Sequence, residues 1–152
     1  LALYFLDTSA LTKLYVREPV SDFMLRLAND GPRGQFVVLS ITSVEFRSAV
    51  QRRQREGDIA RDDAEQILES FSAHLESQFL RQPLTETLVD SANDLIDRHT
   101  LRAYDALQLA GCLALRSSSG EADLTFLCAD KALCQAAVSE EVSVINPEGN
   151  GP

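Results

Sequence analysis

Leu3-Tyr4-Phe5-Leu6-Asp7-Thr8-Ser9-Ala10-Leu11 is the stretch from which the fold is read: a short apolar run, then an acid, two hydroxyls and the start of a helical pattern. An apolar run of this length that stops at a turn signal reads as a strand buried on both faces, as strands of a parallel sheet are. The same signal recurs at Phe36 to Leu39, Leu124 to Cys128 and Val142 to Ile145, the last just before Asn146-Pro147. Between these runs the period changes to that of a helix. Ala64, Ile67, Leu68, Phe71 and Leu75 share one face, and Leu88, Ala92, Leu95 and Ile96 share another. Shorter helices are expected over Ala10 to Val16, Ser21 to Ala28, Ser43 to Arg55 and Lys131 to Val138. Gly31-Pro32-Arg33-Gly34, Glu56-Gly57-Asp58 and the cluster from Ser117 to Gly120 read as turns. Strands alternating with helices predict an α/β protein, a three-layer sandwich with a central, mostly parallel sheet.

The 152 residues, 45% hydrophobic and 24% charged, suit a single domain over residues 1–147, with a frayed tail at 148–152. No repeat, low-complexity tract or like-charge block interrupts it. No run approaches the ~18 to 20 apolar residues of a membrane span, so membrane and secretory readings are not expected. Cys112, Cys128 and Cys134 are odd in number, lack CxxC spacing and have only His74 and His99 as potential co-ligands, which predicts neither a disulfide framework nor a zinc knuckle and fits a reducing cytoplasm. Acids outnumber bases 23 to 14, for a net charge of −9, which argues against a basic surface that coats nucleic acid. A nucleic acid remains possible as a substrate if metal ions supply the positive charge.

The acids themselves follow a pattern. Asp7 directly follows the first predicted strand, and Asp130 comes two residues after the third. In an open parallel sheet all strands end at one edge, where ligands bind, so both acids should reach it. Glu45 falls in the first turns of the helix after the second strand and points to the same edge. Asp105 is reached by another route: it lies in Ala103 to Leu115, an otherwise apolar helical run broken by Asp105, Gln108 and Gly111. Such a helix is expected to be buried on nearly all sides, so its carboxylate needs a helix N-terminus, a polar cleft or a partner.

Taken singly, each acid has a plainer account. Asp7 and Asp130 precede helices and can serve as N-caps, and Thr42-Ser43-Val44-Glu45 has capping-box spacing. Caps do not explain Asp105, nor why so many acids share one rim. Clustered carboxylates repel unless a cation holds them, and an all-oxygen donor set suits one or two Mg²⁺ or Mn²⁺ ions rather than zinc. Two such ions could activate water for an in-line displacement at phosphorus. No nucleophile elbow, Walker loop or GxGxxG offers a different chemistry.

Four segments, read together, resemble the PIN domain of VapC-type toxin ribonucleases. They are Leu6-Asp7-Thr8-Ser9-Ala10-Leu11 with Lys13-Leu14-Tyr15, Ser43-Val44-Glu45-Phe46-Arg47-Ser48-Ala49, Leu101 to Ala110 around Tyr104-Asp105-Ala106, and Phe126 to Leu133 around Asp130. The resemblance runs from Leu3 to Pro147. It implies a PIN-like fold and a metal-dependent endoribonuclease, with Asp7, Glu45, Asp105 and Asp130 as the acidic quartet. It also implies that Ser9 assists by a hydrogen bond to a carboxylate, water or phosphate; the alternative is a hydroxyl that satisfies helix-start amides. A homodimer and a cognate antitoxin are further implications. Cys128-Ala129 depart mildly from the family, occupying a place where small hydroxyl residues are common.

Basic residues near these motifs are candidate RNA contacts. Arg52 falls within about 20° of the helix face that carries Glu45, roughly 10 Å further along the axis. Lys13 and Arg102 flank acid motifs. Arg53 and Arg55 are more simply surface charges suited to the helix's C-terminal dipole. No aromatic stacking platform is visible in sequence. The function expected is hydrolysis of RNA, leaving a 5′-phosphate and a 3′-hydroxyl if water rather than the ribose 2′-hydroxyl attacks. The alternatives are a catalytically idle module that docks RNA or an antitoxin, and a phospho-acceptor regulatory domain; Ser40, not Asp, after the second strand weakens the latter.

Overall fold

The computed structural model describes residues 2–17, 34–120 and 123–147. The helix expected over Ser21 to Ala28, the turn at 31–33 and the tail at 148–152 lie outside the described residues.

Five strands form one sheet in the order β3-β2-β1-β4-β5, and every pairing is parallel. They are β1 (Ala2–Leu6), β2 (Gly34–Leu39), β3 (Phe79–Gln82), β4 (Asp123–Leu127) and β5 (Ser143–Ile145). Six helices accompany them among the described residues: α1 (Thr8–Arg17), α2 (Thr42–Arg55), α3 (Arg61–Ser77), α4 (Glu86–Arg98), α5 (Ala103–Ser119) and α6 (Lys131–Ser139). The sandwich is thus as expected, with a sheet that is parallel throughout its described strands.

Alternation along the strands divides the core in two. Leu3 and Phe5 of β1, Val37 and Leu39 of β2, and Leu124 and Phe126 of β4 pack with α4, α5 and α6. Leu6, Val38, Leu127 and Phe79 point the other way, into α1, α2 and α3. Both faces are apolar because both are covered, which is why the strands read as continuous apolar runs. Since β2 follows β1 to one side while β4 lies on the other, the strand order reverses between β1 and β4. A crevice opens at such a reversal, beyond the strands' carboxyl ends.

The structure corrects several expectations. β3 was not expected: of Phe79-Leu80-Arg81-Gln82 only Phe79 is buried, because β3 is an edge strand. α5 continues through Ser117 to Ser119, predicted as a turn, and ends at Gly120, whose φ of 67° an L side chain would resist. Its middle is buried at Ala106 and from Gln108 to Cys112, but its first turn opens to solvent, with Tyr104 60% exposed. Ile96 of α4 is 39% exposed rather than part of the buried face. Among the described residues, no helix is long and apolar enough to cross a membrane.

Candidate active site

Asp7 leaves β1 at the strand-order reversal and is 2% exposed. Its backbone N–H bonds Leu127 O at 3.1 Å, which extends the β1–β4 ladder by one step. Its Oδ1 accepts the Ala10 N–H at 2.8 Å, so the capping role is real. Ser9 Oγ lies 2.8 Å from both carboxylate oxygens, and the Cys128 thiol donates to Oδ2 at 3.5 Å. Ser9 Oγ also accepts the Ala129 N–H at 3.0 Å, which ties the turn after β1 to the turn after β4. The hydroxyl therefore bonds a carboxylate and an amide of a different segment. Burial pushes the Asp7 carboxyl up to about 7; the bonds from Ala10, Ser9 and Cys128 act against this, and the Asp105 charge adds to it.

Glu45 stands in the first turn of α2, but the capping box does not form. The helix is entered through Ile41, one residue earlier than that reading requires, with no side-chain cap. Glu45 Oε1 instead accepts from Thr8 Oγ1 at 3.1 Å and Gln108 Nε2 at 2.9 Å. Gln108 is 2% exposed and also donates to Thr42 Oγ1 at 2.8 Å. Burial raises the Glu45 pKa, these two bonds lower it, and Asp105 raises it again.

Asp105 opens α5, whose first turn is exposed, so its carboxylate faces the cleft instead of the core. Burial raises its pKa first, then the Asp130 charge, against the lowering effect of Arg102. Asp130 caps α6 by accepting the Leu133 N–H on Oδ1 at 2.9 Å. Arg102 lies between these two acids, with Nε 3.6 Å from Asp105 Oδ2 and Nη2 3.9 Å from Asp130 Oδ2. Asp105 thus acts electrostatically on Asp7 and Glu45 and is itself acted on by Asp130. The four predicted acids share one edge and one field. Among the described residues, however, no three His, Cys, Asp or Glu side chains form a group that could hold a metal ion. Each acid is drawn instead to a protein partner: Asp7 to Ser9, Glu45 to Gln108, and Asp105 and Asp130 to Arg102.

Beside the acids lies a cavity of about 780 Å³, lined by Glu45 and Asp105 and by Lys13, Arg52, Arg53 and Arg102. All three predicted basic contacts therefore border it. Arg53, expected as a surface charge, does too. Basic residues outnumber acids four to two along this wall, in a chain whose net charge is −9. Ser9 lines the cavity, whereas Asp7 and Asp130 do not. The two histidines are engaged elsewhere, His74 with Tyr15 and His99 with Glu140. Sequence reasoning missed Thr8, Thr42 and the role of Gln108. The signal available for Gln108 was a lone amide in an apolar helical run.

The PIN domain family model matches residues 4–139. The chain belongs to the PIN domain family. Solved structures carry the same PIN fold at low identity. VapBC2 from Rickettsia felis, solved bound to a DNA fragment from its promoter, is 14% identical with a TM-score of 0.66, covering 95% of this chain and 98% of that one. A toxin-antitoxin complex from Klebsiella pneumoniae is 18% identical with a TM-score of 0.60, covering 97% and 98%. VapC20 from Mycobacterium tuberculosis, described as a sarcin-ricin loop cleaving toxin, is 18% identical with a TM-score of 0.60, covering 88% and 94%. No curated protein matched the chain. The expected PIN-like fold and family are both borne out.

Proposed function

We propose that this PIN domain protein is a divalent-metal-dependent endoribonuclease, the toxin of a toxin-antitoxin pair. The observation that carries the reading is the placing of Asp105, which shares Arg102 with Asp130 and lines with Glu45 a cavity bordered by basic residues.

The donor chemistry fits a hard cation. All four candidate ligands are carboxylates, burial and mutual repulsion oppose the ionisation of Asp7, Glu45 and Asp105, and a positive group already bridges Asp105 and Asp130. That group is Arg102, whose side chain is 85% exposed. Asp7, Glu45, Asp105 and Asp130 would hold one or two Mg²⁺ or Mn²⁺ ions, which when bound supply an activated water and charge stabilisation at phosphorus.

The chain's own residues do the remaining work. Ser9 fixes both Asp7 oxygens and locks the β1 and β4 turns together. Gln108 and Thr8 aim Glu45. Lys13, Arg52 and Arg102 are placed to contact phosphates flanking the scissile one, which positions RNA without reading its sequence. Neither histidine lines the cavity, so no imidazole stands ready to deprotonate a ribose 2′-hydroxyl. Attack by water then leaves a 5′-phosphate and a 3′-hydroxyl. The antitoxin partner rests on the toxin-antitoxin complexes among the solved structures of the same fold. A homodimer and a cytoplasmic location belong to the same reading.

One observation favours a second reading, a catalytically idle module that docks RNA or an antitoxin: each acid is already held by a protein partner. The family match sets aside the phospho-acceptor alternative. The deciding experiment incubates the protein and an Asp7→Asn variant with single-stranded and structured RNA, in Mg²⁺, Mn²⁺ or EDTA. Cleavage that needs metal and is lost in Asp7→Asn supports the nuclease. Binding without cleavage at saturating metal supports the docking module.

A further inference from the structure

Among the described residues, the tyrosine and phenylalanine rings are gathered into the core, with one exception. Tyr4 and Phe36, Phe5 and Phe126, Tyr15 with Phe46 and Phe71, and Phe79 with Phe36 all lie in ring contact, with centroids 4.5–6.2 Å apart. Among the described residues Tyr104 alone has no ring partner, and it is 60% exposed. A single exposed apolar residue is ordinary. The position of this one is not. Tyr104 lies on the first turn of α5 between Arg102 and Asp105, and it lines the same cavity as Lys13, Arg52 and Arg53. Val44, 71% exposed on α2, lines that cavity as well. An apolar pair thus borders a positively charged wall, in a molecule that is otherwise strongly acidic.

We propose that Tyr104 is a stacking platform for an unpaired base of single-stranded RNA, held beside the acidic edge while Lys13, Arg52 and Arg102 take the adjoining phosphates. The proposal rests on the ribonuclease reading and adds a base-binding subsite to it. Single-stranded nucleic acid is bound by this combination, a basic track for the backbone and an aromatic face for the base. A base stacked within a duplex cannot present its face, so the platform selects unpaired RNA. The positive wall favours a polyanion over a neutral peptide. A stacked ring reads no hydrogen-bonding edge, so the subsite tolerates different bases. Tyr104 is therefore a substrate-positioning residue that takes no part in proton transfer.

The probe is a short single-stranded oligoribonucleotide carrying one fluorescent adenine analogue, titrated in EDTA against wild type, Tyr104→Ala and Tyr104→Phe, with a duplex of the same sequence as control. Stacking quenches the analogue. Wild type and Tyr104→Phe are expected to quench alike, while Tyr104→Ala loses the quench and binds about five- to a hundredfold more weakly. Under Mg²⁺ or Mn²⁺ the same loss appears in KM, with kcat largely kept. Circular dichroism of Tyr104→Ala matches wild type, since the ring supports nothing in the core. If Tyr104→Ala binds and cleaves like wild type, as it would were Tyr104 reserved for a protein partner, the platform is overturned and the nuclease stands. If wild type neither binds nor cleaves any RNA, the nuclease reading fails and the platform with it.

Discussion

Gln108 Nε2 donates to Glu45 Oε1 at 2.9 Å, joining two helices across 63 positions of sequence. The amide is 2% exposed, and Thr42 Oγ1 lies 2.8 Å from the same nitrogen. A charged acceptor in a partly dry site depends on such donors, because burial alone disfavours its ionised form.

Gln108→Leu should therefore destabilise the ion-free protein by about 1–3 kcal/mol at pH 8. Folded Glu45 already has a raised pKa, and loss of the Gln108 bond raises it further. Stability then falls as pH rises through that value, so the defect should shrink toward pH 4, where Glu45 is neutral. Urea denaturation at the two pH values checks this; an equal defect at both would show that Gln108 acts through its Thr42 bond and its packing and not through the Glu45 charge.

Asp7 gives a second pH signature. Its folded pKa of about 7 exceeds the ordinary 3.8, so between those values the folded chain holds a proton that the unfolded chain has released. Ion-free protein should lose stability as pH rises from about 4 to 7. Asp7→Asn keeps an oxygen for the Ala10 N–H and carries no charge. It should flatten the slope and leave the variant about 2–4 kcal/mol more stable at pH 8. Cleavage should fall by orders of magnitude. A variant less stable than wild type at pH 8 would contradict the burial argument.

Ser9→Ala removes the hydroxyl between Asp7 and the Ala129 N–H. The amide is left without its partner, at a cost of about 1–2 kcal/mol. Thermal melting should register this loss. Ser9→Thr should recover part of it, whereas equal melting temperatures for wild type and Ser9→Ala would deny the clamp.

Gly111 is where α5 meets the sheet. A Cβ there would lie 2.9 Å from Phe5 Cζ and 3.2 Å from Leu39 Cδ1, and both side chains are fully buried. Alanine improves helix propensity by about 1 kcal/mol, but overpacking costs about 1–3 kcal/mol, so Gly111→Ala should destabilise. The shifted helix carries Asp105 and Gln108 and should lose activity too. Phe5→Leu, which opens the contact, should lessen both effects in the double variant; strict additivity would count against this account.

Much of this architecture was legible because burial writes itself into composition. β1, β2 and β4 are covered on both faces and so appear as apolar runs, and Asp7, Glu45 and Asp130 follow from where those runs end. β3 left no such trace, since an edge strand needs only Phe79 inside. Asp105 could be suspected from its apolar surroundings, but only the exposed first turn of α5 shows how it escapes them. Arg102 and Tyr104 are ordinary surface residues in sequence. Their significance comes from side-chain placement around a cavity, which depends on how α2 and α5 approach one another.

The β1–β4 pairing has a consequence for how the protein is made. Ser9 and Ala129 are 120 positions apart, and β1 meets β4 only after residues 123–127 exist. A ribosome has therefore translated most of the chain before Asp7 acquires its clamp or Asp130 can join the other acids. Nascent chains that stall just short of β4 carry three of the four acids on an unfinished sheet. Whatever this edge does, it cannot do before residues 123–130 have been made and paired with β1.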